Sequence, residues 1–273
     1  MSAKRRTGLR DRLLPRSRRR DGTGDEPGGP APAGGAPVPG FFDEFPHFYD
    51  SSETSAFQWR LNLRHEAIVA ENQGILAGAR VLDIASHDGR WSAAALHGGA
   101  ASVLGIEARP ELVARSVENM QRSGLEASTF EFVEGDVFRV LAAPPEDIDV
   151  VFCLGFFYHT LRHHELFARM RQTQARHLVI DTEVHPGDEP VIRVGKEFVH
   201  RQGNAVGDEF SFGDTVVTGR PTPSALADLA AGHGYRLERR TDWPRLLTRH
   251  PDADHVGDYR AGRRMTFLFT RAE

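Results

Sequence analysis

The sequence predicts an α/β fold in which a mostly parallel sheet carries helices on both faces. Short apolar segments alternate with segments of helical pattern, and this alternation is typical of sheets built from strand-helix-strand units. Several of the apolar segments end on an acidic residue, at the edge where open α/β sheets bind their ligands. Residues 148–154 are almost entirely apolar, as expected for a central strand that is buried on both faces.

The first predicted strand is the most informative segment of the chain. It begins at residue 80, ends on Asp83 and runs into a tight turn that Gly89 closes. The alanine-rich residues 90–96 then favour a helix. Because the turn lies outside the carboxyl end of a strand, Gly89 is placed to let a ligand approach the backbone closely.

Two kinds of ligand fit such a turn, a dinucleotide such as NAD and a cationic cofactor. A pyrophosphate needs free N–H groups at the start of the helix, and an acidic side chain in the loop would repel it. We expect Asp88 to cap the helix here and to occupy those N–H groups itself. The charge of the loop therefore favours the cationic cofactor.

The next two strands also end on acidic residues. Residues 102–107 end on Glu107, 24 positions after Asp83. In nucleotide-binding α/β folds an acid at this place accepts hydrogen bonds from two ribose hydroxyls, so we interpret Glu107 as the ribose ligand. A helix with one apolar face is predicted for 110–123, and a third strand, 130–136, ends on Asp136.

Taken in order, these segments resemble the class I S-adenosylmethionine (SAM) dependent methyltransferases over about residues 60–182. The first motif of that family is Asp-x-Gly-x-Gly-x-Gly, and its cofactor site would here comprise Asp83, Ala85, His87 and Gly89. Ala85 and His87 replace two of the glycines. Alanine is a mild change where the backbone angles are ordinary, whereas His87 either narrows the cofactor pocket or turns outward.

The resemblance implies the remaining cofactor contacts and the sheet. Asp136 would accept a hydrogen bond from the adenine amino group, the N–H of Val137 would meet the ring, and Leu154 would border the cofactor after the fourth strand. A Rossmann-like, seven-stranded sheet with an antiparallel last strand is implied as well. Trp59 is a candidate to cover the cofactor, although packing in the core is the simpler expectation.

Residues 155–160 occupy the place where the family lines the space between methyl donor and acceptor. The transfer requires the two at near-attack distance and, where the acceptor carries a proton, a base to remove it. His159 is our candidate base, since histidine titrates near neutral pH. Tyr158 and Asp181, which ends the fifth strand, are predicted to position the acceptor.

Two further groups of side chains have other simple interpretations. His159 with His163, and Asp181 with neighbouring Glu183 and His185, could share a face, but neither group has a tight ligand signature, so we predict no metal. Arg60 and Arg64 are candidates to meet the carboxylate of SAM, although exposure to solvent is the simpler expectation for both.

The predicted function is transfer of a methyl group from SAM to an oxygen or nitrogen of a small-molecule acceptor. Two alternatives stay open. Gly155 to His159 also resembles a segment of tRNA wobble-uridine-modifying enzymes, but a nucleic-acid acceptor requires basic walls and the body of the chain is acidic. The replaced glycines at Ala85 and His87 suggest a SAM-binding protein without transfer.

The composition is that of a soluble globular protein, with 273 residues, 40% of them hydrophobic and 26% charged. No apolar run approaches the ~18 residues of a membrane span, and no apolar segment of a signal peptide follows the early arginines. The one cysteine, Cys153, excludes a disulfide framework. We therefore expect a cytoplasmic protein.

The chain divides into a tail and a body. Residues 1–20 carry a formal charge of +8, and residues 21–40 are mostly glycine, proline and alanine, so we predict a disordered extension over 1–40. A role of this tail in self-association, or in weak contact with nucleic acid or anionic lipid, stays open. The methyltransferase domain is predicted over 41–273, with an inserted β-rich cap at about 183–220.

Overall fold

The computed structural model describes residues 40–50, 57–201 and 203–272. The predicted N-terminal extension, apart from Gly40, lies outside the described residues. Within them the chain forms nine strands: β1 (Arg80–Ile84), β2 (Ser102–Glu107), β3 (Phe130–Glu134), β4 (Val150–Leu154), β5 (His177–Glu183), β6 (Ile192–Phe198), β7 (Thr215–Pro221), β8 (Tyr235–Arg240) and β9 (Arg264–Arg271).

Seven of these strands form one sheet in the order β3-β2-β1-β4-β5-β9-β8. Strands β1 to β5 are parallel to one another, and β9 runs antiparallel to both of its neighbours. The predicted seven-stranded sheet with an antiparallel last strand is confirmed. The strand order reverses between β1 and β4, which is where open sheets of this kind form a ligand crevice.

The helices of the described residues are α1 (Gln58–Ile68), α2 (Gln73–Leu76), α3 (Arg90–His97), α4 (Pro110–Arg122), α5 (Val137–Val140), α6 (His163–Gln172), α7 (Pro223–Gly232), α8 (Trp243–Thr248) and α9 (Gly257–Arg260). A 3₁₀ turn over Ala70–Asn72 separates α1 from α2. There the Asn72 side chain donates to the carbonyl of Ile68 at 2.9 Å, a bond that ends α1.

Helices cover both faces of the sheet, as predicted. Alternate residues of β4 point to opposite faces, because successive side chains of a strand do so. Val151 and Cys153 belong to the apolar cluster that includes α6 and α7, whereas Val150 and Phe152 belong to the cluster that includes α1 and α3. All five residues of β4 are buried, so this strand sits at the centre of the core.

Strands β6 and β7 form a separate two-stranded antiparallel hairpin between β5 and α7. The alternating residues Phe210 to Phe212 do not form a strand of this hairpin. Gly213, with φ of +58°, closes a turn between Phe212 and Thr215, and the second strand begins only at Thr215. The hairpin lies over the carboxyl end of the sheet, where its inner side chains border the site described next.

Candidate active site

A cavity of about 410 Å³ opens at the carboxyl ends of β1, β2 and β4, beneath the β6–β7 hairpin. The loops after these strands and the inner face of the hairpin supply its walls. Of the residues predicted for the site, the cavity is lined by Ala85, His87, Glu107, Asp136, Val137, Leu154, Tyr158 and His159. The structure therefore brings most of the predicted cofactor and acceptor contacts to one space.

The turn after β1 keeps a left-handed backbone at the replaced glycines. Ala85 and His87 both have φ of +54°, and Gly89 has φ of +78°. The backbone angles at Ala85 are therefore not ordinary, and the left-handed conformation costs a non-glycine residue about 1 kcal/mol. Hydrogen bonds hold the turn, since the N–H of His87 donates to Glu107 Oε2 at 3.0 Å. Alanine and histidine at positions 85 and 87 therefore change the side chains of the motif, while the backbone of the turn stays left-handed as glycine would allow.

The ring of His87 stays at the wall of the cavity. Its Nδ1 lies 3.4 Å from Asp88 Oδ1, and the side chain is 27% exposed. It therefore neither fills the cavity nor turns fully into solvent.

Asp88 is not the N-cap residue of α3, which corrects the prediction made from its position, although its Oδ1 accepts from the first helical N–H, that of Arg90, at 3.4 Å. Gly89 is the N-cap residue, and the buried Asp88 carboxylate accepts hydrogen bonds from Arg90 Nε at 2.7 Å and Nη2 at 2.6 Å. Burial alone would raise the pKa of Asp88, but the Arg90 guanidinium and His87 hold it far below its usual range. Because Arg90 neutralises this acid, the preference for a cationic cofactor rests on the other carboxylates.

Asp83 lies beneath the floor of the cavity and does not line it. The side chain is 1% exposed and accepts a hydrogen bond from the Ser92 hydroxyl of α3 at 2.7 Å. Burial, together with the nearby Glu107 and Asp88, raises the pKa of Asp83 to about 7 against the opposing effect of the hydrogen bond from Ser92. As a predicted cofactor residue, Asp83 can act on a bound cation only through its field.

Backbone N–H groups hold the carboxylates of Glu107 and Asp136 and leave lone pairs on the carboxylate oxygens for a ligand. Glu107 accepts from the N–H of His87 and, through Oε1, from the N–H of Arg109, each at 3.0 Å. Asp136 caps α5, and its Oδ1 accepts from the N–H of Arg139 at 3.0 Å. These bonds fix both carboxylates, and each oxygen can accept again from a hydroxyl or amino group.

Arginines form one end of the cavity, and the expectation that Arg60 and Arg64 are exposed to solvent is wrong. Arg60 is 9% exposed and Arg64 is 3% exposed. Each guanidinium pairs with a carboxylate that lies far away in the sequence. Arg60 pairs with both carboxylate oxygens of Asp258, at 2.7 and 2.8 Å. Arg64 donates to Asp181 at 3.0 Å and lies over the ring of Trp91. Both arginines line the cavity. Trp59 packs against the apolar cluster around α8 and α9, in agreement with the simpler expectation of core packing.

This end of the cavity fits a ligand that carries a carboxylate, as SAM does. Asp181 is shared by Arg64 and Arg264, so with the Arg60–Asp258 pair the group keeps one excess positive charge. In addition, Nε of Arg60 and Nε of Arg64 are buried without a hydrogen-bond partner among the described residues. A bound carboxylate would balance the charge and could satisfy these donors.

Asp181 does not meet the acceptor, which corrects its predicted role. It is fully buried and does not border the cavity. Arg64, Tyr259, Thr266 and Arg264 all donate to it, the last from Nε at 2.7 Å. Burial alone would raise the pKa of Asp181, but Arg264 and Arg64 hold it well below its ordinary value. Its role in the structure is to hold two arginines at the cavity wall.

His159 is paired with a carboxylate that sequence reasoning missed. It ends the 3₁₀ turn after β4, and its Nδ1 lies 2.6 Å from Oε2 of Glu197 on β6. Both side chains are 11% exposed and line the cavity. The ring of Tyr158 packs on that of His159, with centroids 4.1 Å apart, and its hydroxyl accepts from Arg264 at 3.4 Å. The alternation along β6, which turns Glu197 inward, was the one sequence signal available.

Two features of other protein classes are not found in the described part of the chain. No three His, Cys, Asp or Glu side chains there are grouped so that they could hold a metal ion. His163, considered with His159, is buried and hydrogen-bonded to the carbonyl of Phe157 at 2.9 Å. Nor is any helix of residues 40–50, 57–201 and 203–272 long and apolar enough to cross a membrane.

Comparison with known proteins gives the same class as the motifs. Residues 81–177, from β1 to the start of β5, match the family model of a methyltransferase domain. No curated protein matches the sequence. This match supports the resemblance to class I SAM-dependent methyltransferases, with SAM as the cofactor.

Solved structures of the same fold are similar over most of the chain. The N-terminal domain of EvdMO1, crystallised in the presence of SAH and D-fucose, is 16% identical, with 77% of this chain and 82% of that one covered and a TM-score of 0.54. A SAM-dependent methyltransferase from Mesorhizobium loti is 17% identical, with 77% and 100% covered and a TM-score of 0.52. The mitomycin 7-O-methyltransferase MmcR is 18% identical, with 78% and 55% covered and a TM-score of 0.50.

Proposed function

We propose that this protein methylates an oxygen or nitrogen of a small polar molecule, with His159 as the general base. One observation carries the proposal, namely that a single cavity runs from the predicted ribose and adenine contacts, Glu107 and Asp136, to His159. A donor held at one end and an acceptor at the other would meet beside Leu154 and Tyr158, which line the cavity between them.

In this proposal the chain's own residues hold the reactants and move one proton. SAM, when bound, supplies an electrophilic methyl group whose bond to sulfur breaks with the electron pair staying on sulfur. Glu107 and Asp136 receive the adenosine part, and Arg64 receives the carboxylate. His159 accepts the acceptor's proton at Nε2 as the new bond to the methyl carbon forms. The hairpin excludes water from the space where the two reactants meet.

The charge of the walls favours a small molecule over a nucleic acid. Six arginines and six carboxylates line the cavity, so it has no net basic character: Arg60, Arg64, Arg90, Arg109, Arg220 and Arg264 face Glu107, Asp136, Glu183, Glu197, Asp208 and Asp258. A phosphate backbone would require an excess of cations. MmcR, a mitomycin methyltransferase by name, and EvdMO1, crystallised with D-fucose, also support a small polar acceptor.

The test is a screen for turnover. The protein is incubated with SAM and a panel of hydroxylated and amino-bearing small molecules, and S-adenosylhomocysteine and methylated product are measured by mass spectrometry. With an acceptor in hand, His159→Ala should lose on the order of 100-fold or more in kcat, with SAM affinity unchanged. His164→Ala, which removes an exposed histidine of α6, is the matched control and should retain wild-type turnover.

Two results would contradict the proposal. If His159→Ala turned over at the wild-type rate, His159 would not be the general base. Tight SAM binding with no turnover of any acceptor would favour the alternative of a SAM-binding protein that does not transfer the methyl group.

A further inference from the structure

We propose that Glu197, which the inserted hairpin carries, is a positioning residue that fixes the tautomer of His159 and so completes the base. The inference rests on the proposed function, in which His159 takes the acceptor's proton. It adds that the base is assembled from two separate parts of the chain, the turn after β4 and the hairpin strand β6.

The hydrogen bond between the two side chains determines where the imidazole proton lies. Nδ1 of His159 and Oε2 of Glu197 are 2.6 Å apart. Burial alone would raise the pKa of Glu197, but His159, the N–H of Ala205 and Arg220 lower it below its ordinary value, so the group is a carboxylate at neutral pH. A carboxylate only accepts hydrogen bonds, so Nδ1 must carry the hydrogen. Nε2 is then left with the free lone pair that a base requires.

Nothing in the described chain competes for that lone pair. Nε2 of His159 has no hydrogen-bond partner among the residues that the structure describes, whereas Nδ1 is engaged. Because the His159 side chain borders the cavity, the unengaged nitrogen is the one available to an acceptor.

The hairpin holds Glu197 in place by its register and by neighbouring contacts. Glu197 pairs with Val216 of β7, and its Oε2 also accepts from the N–H of Ala205 at 3.1 Å. The flanking Val194 and Phe198 belong to the opposite, exposed face of β6, at 59% and 50% exposure. A shift of one residue in the pairing would turn Glu197 out of the cavity. The tautomer of His159 therefore depends on a correctly seated hairpin.

The same pair stabilises the charge that forms in the reaction. When the acceptor's proton reaches Nε2, the imidazole carries protons on both nitrogens and becomes a cation. The Glu197 carboxylate beside Nδ1 balances that cation and takes no proton itself. The acceptor loses one proton and gains one methyl group, so atoms and charge balance. The element that borders the acceptor thereby also prepares its base.

Nitrogen-15 NMR of the imidazole tests the positioning role without any acceptor. In the folded, cofactor-free protein at a pH where the ring is neutral, the His159 signal should show a protonated Nδ1 and an unprotonated Nε2. The signal is assigned by its absence in His159→Gln. In Glu197→Met the signal should become a mixture of both tautomers. Lys196→Gln, on the outward face of the same strand, is the control and should keep the wild-type signal.

Kinetics supply the second readout once an acceptor is known. Glu197→Met should lose on the order of 100-fold in kcat with little change in the KM for SAM, and Glu197→Asp should restore part of the loss. A thermal unfolding curve for each variant shows whether it folds, and Glu197→Gln, which is nearly isosteric, serves if the methionine variant does not.

The outcomes separate this inference from the function on which it rests. A wild-type His159 protonated at Nε2, or a tautomer that is the same in Glu197→Met, Glu197→Gln and the wild type, would overturn the positioning role. If the tautomer depends on Glu197 while His159→Ala turns over normally, the proposed base fails and the positioning role stands.

Discussion

Replacing Asp83 with asparagine should stabilise the protein, and the gain should depend on pH. The carboxyl group is fully enclosed under the cavity floor, and burial raises its pKa from an ordinary 3.8 to about 7. Between these two pH values the folded protein holds a proton on Asp83 that the unfolded chain has already released. The contribution of Asp83 to stability is therefore fully present below about pH 4 and is lost as the pH rises to about 7.

The size of the effect follows from the shift of the pKa. A shift of about three units, at 1.36 kcal/mol for each, corresponds to about 4 kcal/mol lost above pH 7. Asparagine has nearly the same shape and keeps an oxygen that can accept from the Ser92 hydroxyl. It carries no charge at any of these pH values, so Asp83→Asn avoids the penalty.

Urea unfolding of the cofactor-free protein at several pH values between 5 and 8 measures this directly. The free energy of unfolding of Asp83→Asn minus that of the wild type should grow by roughly 3 kcal/mol across the range. Glu118→Gln, which removes one exposed carboxylate from α4, should show no comparable growth. A difference for Asp83→Asn that stays constant with pH, or that falls, would refute the reasoning.

Three further predictions concern the cofactor site. Glu107→Ala should weaken SAM binding by at least about tenfold in calorimetry, because two hydrogen bonds to the ribose are lost; unchanged affinity would exclude Glu107 as the ribose ligand. Arg64→Met should weaken the binding of SAM more than it weakens the binding of a decarboxylated analogue of SAM. Equal losses of affinity for the two ligands would contradict a contact between Arg64 and the carboxylate. Ala85→Gly should raise the free energy of unfolding by about 0.5–1 kcal/mol, since glycine adopts the left-handed angles without strain. Ala94→Gly, inside α3, should lower the free energy of unfolding. A change of the same sign in both variants would contradict this explanation.

The strands of the sheet could be predicted because their signal is local. Apolar runs bounded by small and polar residues place β2 at the bounds that the structure shows, and place β1, β3 and β4 within about two residues. The short helices α8 and α9 carry no such signal. They are held by tertiary contacts, among them the stacked rings of Trp243 and Tyr259, whose centroids lie 3.7 Å apart.

The candidate site could be predicted where a residue's role follows from its own strand end. Glu107 is the last residue of β2 and Asp136 lies two positions after the end of β3, and the structure places both at the cavity. Arg64 and Glu197 could not be read in this way, because their surroundings depend on partners far along the chain. Arg64 is buried by Asp181, 117 positions away, and Glu197 reaches His159 across 38 positions.

A crystal structure of the protein with S-adenosylhomocysteine tests the central claim most directly, because that claim is one of placement. We expect the ribose hydroxyls on Glu107, the adenine amino group at Asp136, the carboxylate at Arg64, and the sulfur facing the side of the cavity that holds His159. A ligand bound in this cavity with its sulfur turned away from His159, or bound elsewhere on the protein, would contradict the account.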